Sequence, residues 1–551
     1  MPLRQSSLAR WIPEPLCPYL AFLLIAAFSA FHLVYLAQGC DLDLAPDEAH
    51  YWDWSRHLDW SYYSKGPLVA WLIRASCELF GPWSEMHTGS LTLAVRIPAV
   101  FCGGLLLVSL FLLARDVFQS GRLALALVVC AMTLPLITAG SLLMTIDSPY
   151  TCCWGWASYL AYRAITRDSL WAWMASGLVV GIGILAKYTM VLFPASLALF
   201  LFFSSRRGQL LSRGFILMSV IALLCCAPIL IWNAQHDWVT FLHVRRLAGV
   251  AAAGERSLRS GGGIRWLGPL VYLGGQAGLL LGYWFAVWLG AMIAWNPLRR
   301  QEEGIRFLWW LSAPVFLLFF AFSIKTGGGE PNWPVTAYLT GGILAAAWLV
   351  EHLQSPRPVY RATCRVCLGL AIVASLTITS VLHRTQAIHP IMESVVGSST
   401  GNRPFPLRQI DPTCRLRGWR HLASEVDTLR QQLLREEGVE PVLAGVSWAL
   451  PGELGVYCSG HPQAYNIGLV QGDRHSQYDF WTNPVDHPET FMERTFLIVG
   501  PIAPSVEKGF RKVDPAIHVM YRENGRPISG WTLHICRGFK GFGPMDDAAP
   551  H

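Results

Sequence analysis

Residues 47–74 read DEAHYWDWSRHLDWSYYSKGPLVAWLIR, from Asp47 to Arg74, and lie between an apolar run at 18–38 and another at 96–114. An Asp-Glu pair directly after a run long enough to cross a bilayer puts a carboxylate at the membrane surface, where it is either solvated or held for chemistry. Tyr51, Trp52, Trp54, Trp60, Tyr62 and Tyr63 are expected to form an aromatic surface at that level. An aromatic belt alone would need only the rings. Here Asp47, Glu48, His50, Arg56, His57 and Lys65 are interleaved with them, which favours an amphipathic interfacial helix that shapes a site.

The composition around this stretch is that of a membrane protein. The 551 residues are 53% hydrophobic and 14% charged, against about 25% charged in an ordinary soluble domain. One water-facing core cannot hide so much apolar surface, whereas lipid accepts it directly. The net charge of +7 is spread in short clusters rather than one basic stripe, so nucleic acid is not expected as a partner. Of the 14 cysteines, many fall in apolar runs, and neither a zinc site nor a disulfide framework is read from their spacing. Cys414, Cys458 and Cys536 lie in the polar tail, where a pairing stays open.

A span needs about 20 apolar residues, and roughly eleven stretches qualify. They are 18–38, 96–114, 122–140, 148–166, 170–186, 188–204, 213–232, 266–296, 306–323, 333–350 and 364–382. The eighth, too long for one crossing and containing Pro269, Gly274, Gly275 and Gly282, is expected to be a broken helix or a re-entrant pair. Gly261–Gly263 reads as a joint before it. With a cytoplasmic N-terminus, five arginine pairs, Arg115/Arg122, Arg163/Arg167, Arg206/Arg207, Arg299/Arg300 and Arg357/Arg361, fall on one side. That is the positive-inside pattern. The loop 39–95, the turn at Asp147, the loops 233–265 and 324–332 and everything after 383 then face away from the cytoplasm. The expected division is a membrane module at 1–382 and a soluble α/β domain at 383–551, with a helix at 420–436 and strands at 441–446, 495–500 and 531–536.

The order Asp47-Glu48-Ala49-His50-Tyr51-Trp52, then Lys65-Gly66-Pro67-Leu68, resembles the bacterial family of protein mannosyltransferase-like and aminoarabinose transferase-like enzymes. In that family an external Asp-Glu pair precedes a Lys-Pro-Pro-Leu signature. Further likenesses follow in order: Thr145-Ile146-Asp147-Ser148-Pro149, the Gly-rich stretch Gly181–Lys187, Ile231–Trp238 and Glu330-Pro331-Asn332-Trp333-Pro334. The resemblance covers about residues 40–345 and extends to Arg417-Gly418-Trp419 and Arg474–Asp479 in the tail. It implies a mostly helical, polytopic membrane fold of the GT-C type, and a glycosyltransferase that moves sugar from a polyprenyl-phosphate carrier to a lipid (such as lipid A), glycan or protein acceptor. The branch implies the inner membrane of a Gram-negative cell, with the periplasmic face active. Gly66 stands where a first Pro is usual, and Ser64 where aminoarabinose enzymes carry a metal-binding Glu. No cofactor is expected, and dependence on a divalent metal stays open.

In such a reaction the carrier leaves as an anion, so positive charge is needed more than an acid. Lys65, Arg245 and Arg246 are candidates to hold its phosphate, although anionic membrane lipids are the other partner the two arginines suit. The acceptor hydroxyl must lose a proton as it attacks, which suits an interfacial carboxylate, and Asp47 is the expected general base, with Glu48 beside it. Asp147 either orients the acceptor, balances the charge of Lys65, or caps the helix that Asp-Ser-Pro would start. Lys187 either snorkels or meets phosphate. His50, Tyr62, Tyr63, His236, Lys325 and Asn332 complete the expected substrate-binding set. The rival reading, a transporter or flippase for lipid-linked sugar, predicts acids deep in the spans and a two-fold repeat, neither of which is visible.

Overall fold

The computed structural model describes residues 12–247 and 264–543. The glycine joint at Gly261–Gly263 lies outside the described residues. Each of the eleven apolar stretches falls on a helix or a bent helix pair. Among the described residues, four helical stretches are long and apolar enough to cross a bilayer: Glu14–Gln38, Thr92–Phe118, Glu303–Thr326 (built of Glu303–Trp310 and Ala313–Thr326) and Pro358–His383. Three further stretches are bent pairs: Gly121–Thr133 with Pro135–Leu142 at 73°, Arg213–Cys225 with Ala227–Gln235 at 41°, and Gly268–Leu279 with Tyr283–Ala294 at 115°. The remainder are shorter helices, Leu170–Ala186, Tyr188–Phe202 and Ala337–Leu353, and the more polar Asp147–Arg167.

The bends have local causes. Proline disfavours helical backbone in the residue before it, and Leu134, extended at ψ 129°, breaks the first pair at Pro135. In the eighth stretch Leu281 and Gly282 both take positive φ, which turns the chain sharply where the sequence suggested a broken helix.

The chain divides into two compact units. One comprises the segments up to Val34, Lys65–Val69 and Ile97–Ser380; the other comprises Tyr35–Ser64, Ala70–Arg96 and the residues from Val381 on. Most of the loop 39–95 thus groups with the polar tail rather than with the apolar helices. In the helical unit, Leu170–Ala186 packs on Arg213–Cys225 through a small-residue face. A Cβ on Gly177 would lie 2.5 Å from the Met218 carbonyl oxygen, and one on Gly181 would lie 2.4 Å from Cys225 Cβ. Such close backbone approach is how helices associate where lipid offers no hydrophobic drive.

The second unit is built on a mixed sheet of six strands among the described residues: β1 (Val442–Gly445), β2 (Ala464–Asn466), β3 (Phe496–Val499), β4 (Phe510–Val513), β5 (Ile517–Glu523) and β6 (Arg526–Phe539). The order is β2-β1-β3-β6-β4, with β5 also on β6. β1 is parallel to β2 and β3, and β6 runs antiparallel to β3. β1 and β3 are buried at every residue, which is why they read as unbroken apolar runs. The helix Trp419–Glu437 presents Leu422, Ala423 and Val426 to this core. Cys458 and Cys536 are buried in the same core, while Cys414 belongs to a separate small cluster with Leu407 and Ile528. All three are free thiols, so the pairing left open by the sequence is not made.

Candidate active site

The signature opens as the helix Pro46–Arg56, with Pro46 at its first position. The next two residues part ways. Asp47 is exposed on the first turn, whereas Glu48 is fully buried. Glu48 Oε2 accepts the Ala45 N–H at 2.9 Å and the Arg96 Nη2–H at 2.8 Å, and Glu48 Oε1 accepts Arg96 Nε–H at 3.0 Å. Arg96 also donates to the carbonyls of Leu42 (3.1 Å) and Asp43 (2.7 Å). Asp43 in turn accepts the Trp419 N–H at 2.8 Å and pairs with Arg420 at 3.0 Å. A carboxylate in the first turn also meets the positive end of the helix dipole. Glu48 and Arg96 therefore fix the helix start and leave Asp47 displayed. Arg96 was not among the expected site residues; its signal was an arginine within the apolar run 91–100, which needs a partner wherever it is buried.

The aromatic residues do not form an open interfacial surface. Tyr51, Trp52, Trp54, Tyr62 and Tyr63 are buried, and only Trp60, at 57%, is well exposed. Residues after 381, far off in sequence, cover them. Tyr62 stacks on Trp54 at 4.3 Å and donates its hydroxyl to the Trp54 carbonyl at 3.1 Å. The Tyr63 N–H donates to Gln477 Oε1 at 2.6 Å, and its ring stacks on Phe480. His50 lies among Trp54, Trp448 and Tyr478, and its Nε2 accepts the Trp54 Nε1–H at 3.1 Å. Burial, with help from Arg474, lowers the His50 pKa to about 3, so its ring is neutral at physiological pH. His50, Tyr62 and Tyr63 thus build the wall behind the helix; none lies open to a substrate in this arrangement.

The helical unit gathers a second set. Lys187 Nζ lies 2.6 Å from Asp147 Oδ1, and Asn332 Nδ2 donates to Asp147 Oδ2 at 2.7 Å. Lys187 also sits 5.3 Å from the centre of the Tyr150 ring. The helix Asp147–Arg167 begins at Asp147 with Ile146 in the cap position and no side-chain cap bond. The Asp147 carboxylate is thus committed to Lys187 and Asn332, and the capping alternative is not taken. The turn at Lys65 packs on the same helix end: a Cβ on Gly66 would fall 2.1 Å from the Leu185 carbonyl oxygen, two residues before Lys187. That contact excludes the proline usual at this place and gives Gly66 a packing reason.

The other expected residues lie elsewhere on the helical unit, and Phe241, on the helix of Arg245 and Arg246, stacks on Tyr188 beside Lys187. His236 stacks on Trp232 at 4.0 Å, its Nδ1 2.8 Å from the Trp232 carbonyl. Arg245 and Arg246 occupy the last turn of Val239–Leu247, and Lys325 is exposed in the last turn of Ala313–Thr326.

For a metal, Ser64 offers only a hydroxyl where a hard cation would want a carboxylate. His389, Asp411 and Cys414 have ligand atoms within 4.8 Å of one another. That group closes on itself: Asp411 accepts from Thr413 N–H and Oγ1–H and lies 2.8 Å from His389 Nε2. Burial alone would raise the Asp411 pKa, but the bonds from His389 and Thr413 hold it at about 2.

The chain is similar to known membrane glycosyltransferases. Residues 64–232 match the model of the dolichyl-phosphate-mannose-protein mannosyltransferase family, a span that contains Lys65, Asp147 and Lys187. Lipid A galacturonosyltransferase RgtD of Rhizobium johnstonii is 30% identical over 364 residues, 65% of this chain and 70% of that protein. An undecaprenyl phosphate-alpha-4-amino-4-deoxy-L-arabinose arabinosyl transferase of Pseudomonas aeruginosa is 28% identical over 383 residues, 64% of each chain, a little under two thirds of that relative's length. Among solved structures, ArnT from Cupriavidus metallidurans bound to undecaprenyl phosphate superposes with a TM-score of 0.58 at 16% identity, over 93% of this chain and 98% of that one. Taken with a helical membrane fold and two clusters of signature residues, the identity to the galacturonosyltransferase makes this chain a member of the GT-C family of membrane glycosyltransferases.

Proposed function

We propose that this glycosyltransferase takes its sugar from a polyprenyl-phosphate carrier and passes it to a glycolipid acceptor of the lipid A type, inverting the anomeric carbon, with Asp47 as general base. The observation that carries this reading is the separation of the signature carboxylates: Glu48 is buried against Arg96 while Asp47 is held exposed one residue earlier. A base on a fixed helix start meets the need for a positioned proton acceptor, and Glu48 takes a positioning role. The acceptor oxygen attacks the anomeric carbon, its proton passes to Asp47, and the sugar–phosphate bond breaks with its electron pair going to the carrier.

Lys187 supports the donor side. It gives one of its three N–H donors to Asp147 and keeps the others to meet phosphate oxygens. Lys65, Arg245 and Arg246 add positive charge in the same role, and Asn332 holds the second oxygen of Asp147. The lipid A acceptor and the undecaprenyl carrier are supported by the names of the two relatives. The arginine clusters on the opposite loops support an inner-membrane protein with residues 39–95 and 383–551 on the periplasmic side. Flipping of lipid-linked sugar is not favoured, since the relatives are named as transferases.

The test is transfer of labelled sugar from polyprenyl-phosphate donors into isolated membrane glycolipids, wild type against Asp47→Asn. Loss of a positioned base lowers the rate by about 100 to 10,000 fold, with the fold intact. Undiminished transfer by Asp47→Asn would remove Asp47 from the role, and a retained anomeric linkage would remove the single displacement.

A further inference from the structure

Glu453 is a buried acid that the reaction above does not use. It lies on the short helix Leu450–Tyr457, which touches the helix Pro46–Arg56 backbone to backbone: a Cβ on Gly452 would lie 2.6 Å from the Ala49 carbonyl group and 2.8 Å from His50 N. Glu453 is 1% exposed, and neither carboxyl oxygen has a hydrogen-bond partner among the described residues. Across the contact, His50 uses Nε2 to accept from Trp54, which leaves its proton on Nδ1. That nitrogen too has no partner among the described residues. Buried polar groups are rarely left this way, and an ionised one would be far more costly than a neutral one.

The charges around Glu453 come from every neighbouring element. Asp43 and Glu48 act to keep its proton on, and Arg96 acts to remove it. Arg96 is already committed to Glu48 and to the Leu42 and Asp43 carbonyls. The phenols of Tyr457 and Tyr478 feel Glu453 as well, and His50 is neutral. Among the described residues no cation is hydrogen-bonded to Glu453: Arg474, whose charge reaches His50, lies over the Trp448 ring instead. Burial, first, and these acids, second, push the Glu453 pKa well above the usual carboxylate range.

We infer that Glu453 is a positioning residue for the transfer reaction: as a neutral acid it lets the helix bearing Asp47 seat against Leu450–Tyr457, and its ionisation unseats that helix. The effect on turnover rests on the Asp47 reading; the effect on seating does not. Because the neutral form belongs to the folded state, stability falls as pH rises above the ordinary carboxyl value towards the raised one.

The experiment uses the full chain in detergent, comparing wild type, Glu453→Gln, Glu453→Leu and Asp47→Asn. Unfolding temperature is read from pH 5 to 9, and transfer kinetics over the same range. The expected result is a wild-type decline in unfolding temperature towards alkaline pH that Glu453→Gln abolishes. An alkaline fall in kcat, with KM unchanged, is abolished by the same variant. At pH 7 Glu453→Gln restores the turnover that Glu453→Leu loses by tenfold or more. If wild type and Glu453→Gln share one stability profile across this range, the inference is overturned, whatever the kinetics. If Asp47→Asn transfers normally while Glu453→Gln still abolishes the alkaline stability decline, the base assignment fails and the seating role of Glu453 stands.

Discussion

The Lys187 ammonium lies 2.6 Å from Asp147 Oδ1, joining two residues 40 positions apart, and Asn332 closes the other carboxylate oxygen at 2.7 Å. Their side chains are only 12% and 21% exposed, so the pair is more than a solvated surface contact. Groups that act as a unit show coupled rather than additive losses, typically by about 0.5 to 3 kcal/mol. Asp147→Asn and Lys187→Gln should therefore each remove most transfer, with the double variant little worse than either single one. A double-variant cycle on kcat/KM checks this; simple additivity would mean that the two residues act separately.

The Arg96–Glu48 pair predicts a different phenotype. Both side chains are essentially without exposure, and breaking a buried pair by removing one partner costs about 3 to 5 kcal/mol. Arg96→Met should lower the unfolding temperature strongly and reduce the yield of folded protein. Asp47→Asn should leave both unchanged. Thermal unfolding in detergent separates the two, and equal stability of wild type and Arg96→Met would show that the pair does not hold the helix start.

Much of this arrangement was legible one motif at a time. Asp147, Lys187 and Asn332 each stood out locally, but that one carboxylate binds the other two depends on contacts across 40 and 185 residues, which no local pattern carries. Asp47 and Glu48 are neighbours of the same chemical type, and what sends only Glu48 inside is Arg96, 48 residues on. The aromatic stretch looked interfacial because its cover, including Trp448, Gln477, Tyr478 and Phe480, arrives from the far end of the chain. In the sheet, β1 and β3 announced themselves as buried apolar runs, whereas β2 is three residues long and β4 and β5 carry exposed polar positions.

Gly66 should not tolerate even one methyl group. Its Cβ would meet the Leu185 carbonyl oxygen at 2.1 Å and the carbonyl carbon at 2.7 Å, both backbone atoms that have no rotamer to escape into. Overpacking of this kind costs about 1 to 3 kcal/mol, and here the movement would be taken up by the turn that carries Lys65. Gly66→Ala should raise KM for the donor and lower kcat by tenfold or more at near-normal expression. Donor-titration kinetics measure it, and unchanged donor KM would dissociate this turn from the carrier phosphate.

His50 supplies a prediction in acid. Its folded pKa is lowered to about 3 by burial, against an ordinary value near 6.5 in the unfolded chain. Between those values the unfolded chain binds the extra proton and the folded chain does not. The contribution of neutral His50 is therefore complete above about pH 6.5 and lost progressively as pH falls towards 3. His50→Gln keeps a polar group of similar size without this titration. The variant should start less stable at pH 7, having lost the Trp54 contact geometry, yet decline less between pH 6.5 and 4 than wild type. The quantity to compare is the slope of unfolding temperature with pH over that window, because carboxylates common to both proteins cancel in the difference. Equal slopes would mean that His50 is protonated in the folded protein, and the buried, neutral wall behind Asp47 would have to be redrawn with a charge in it.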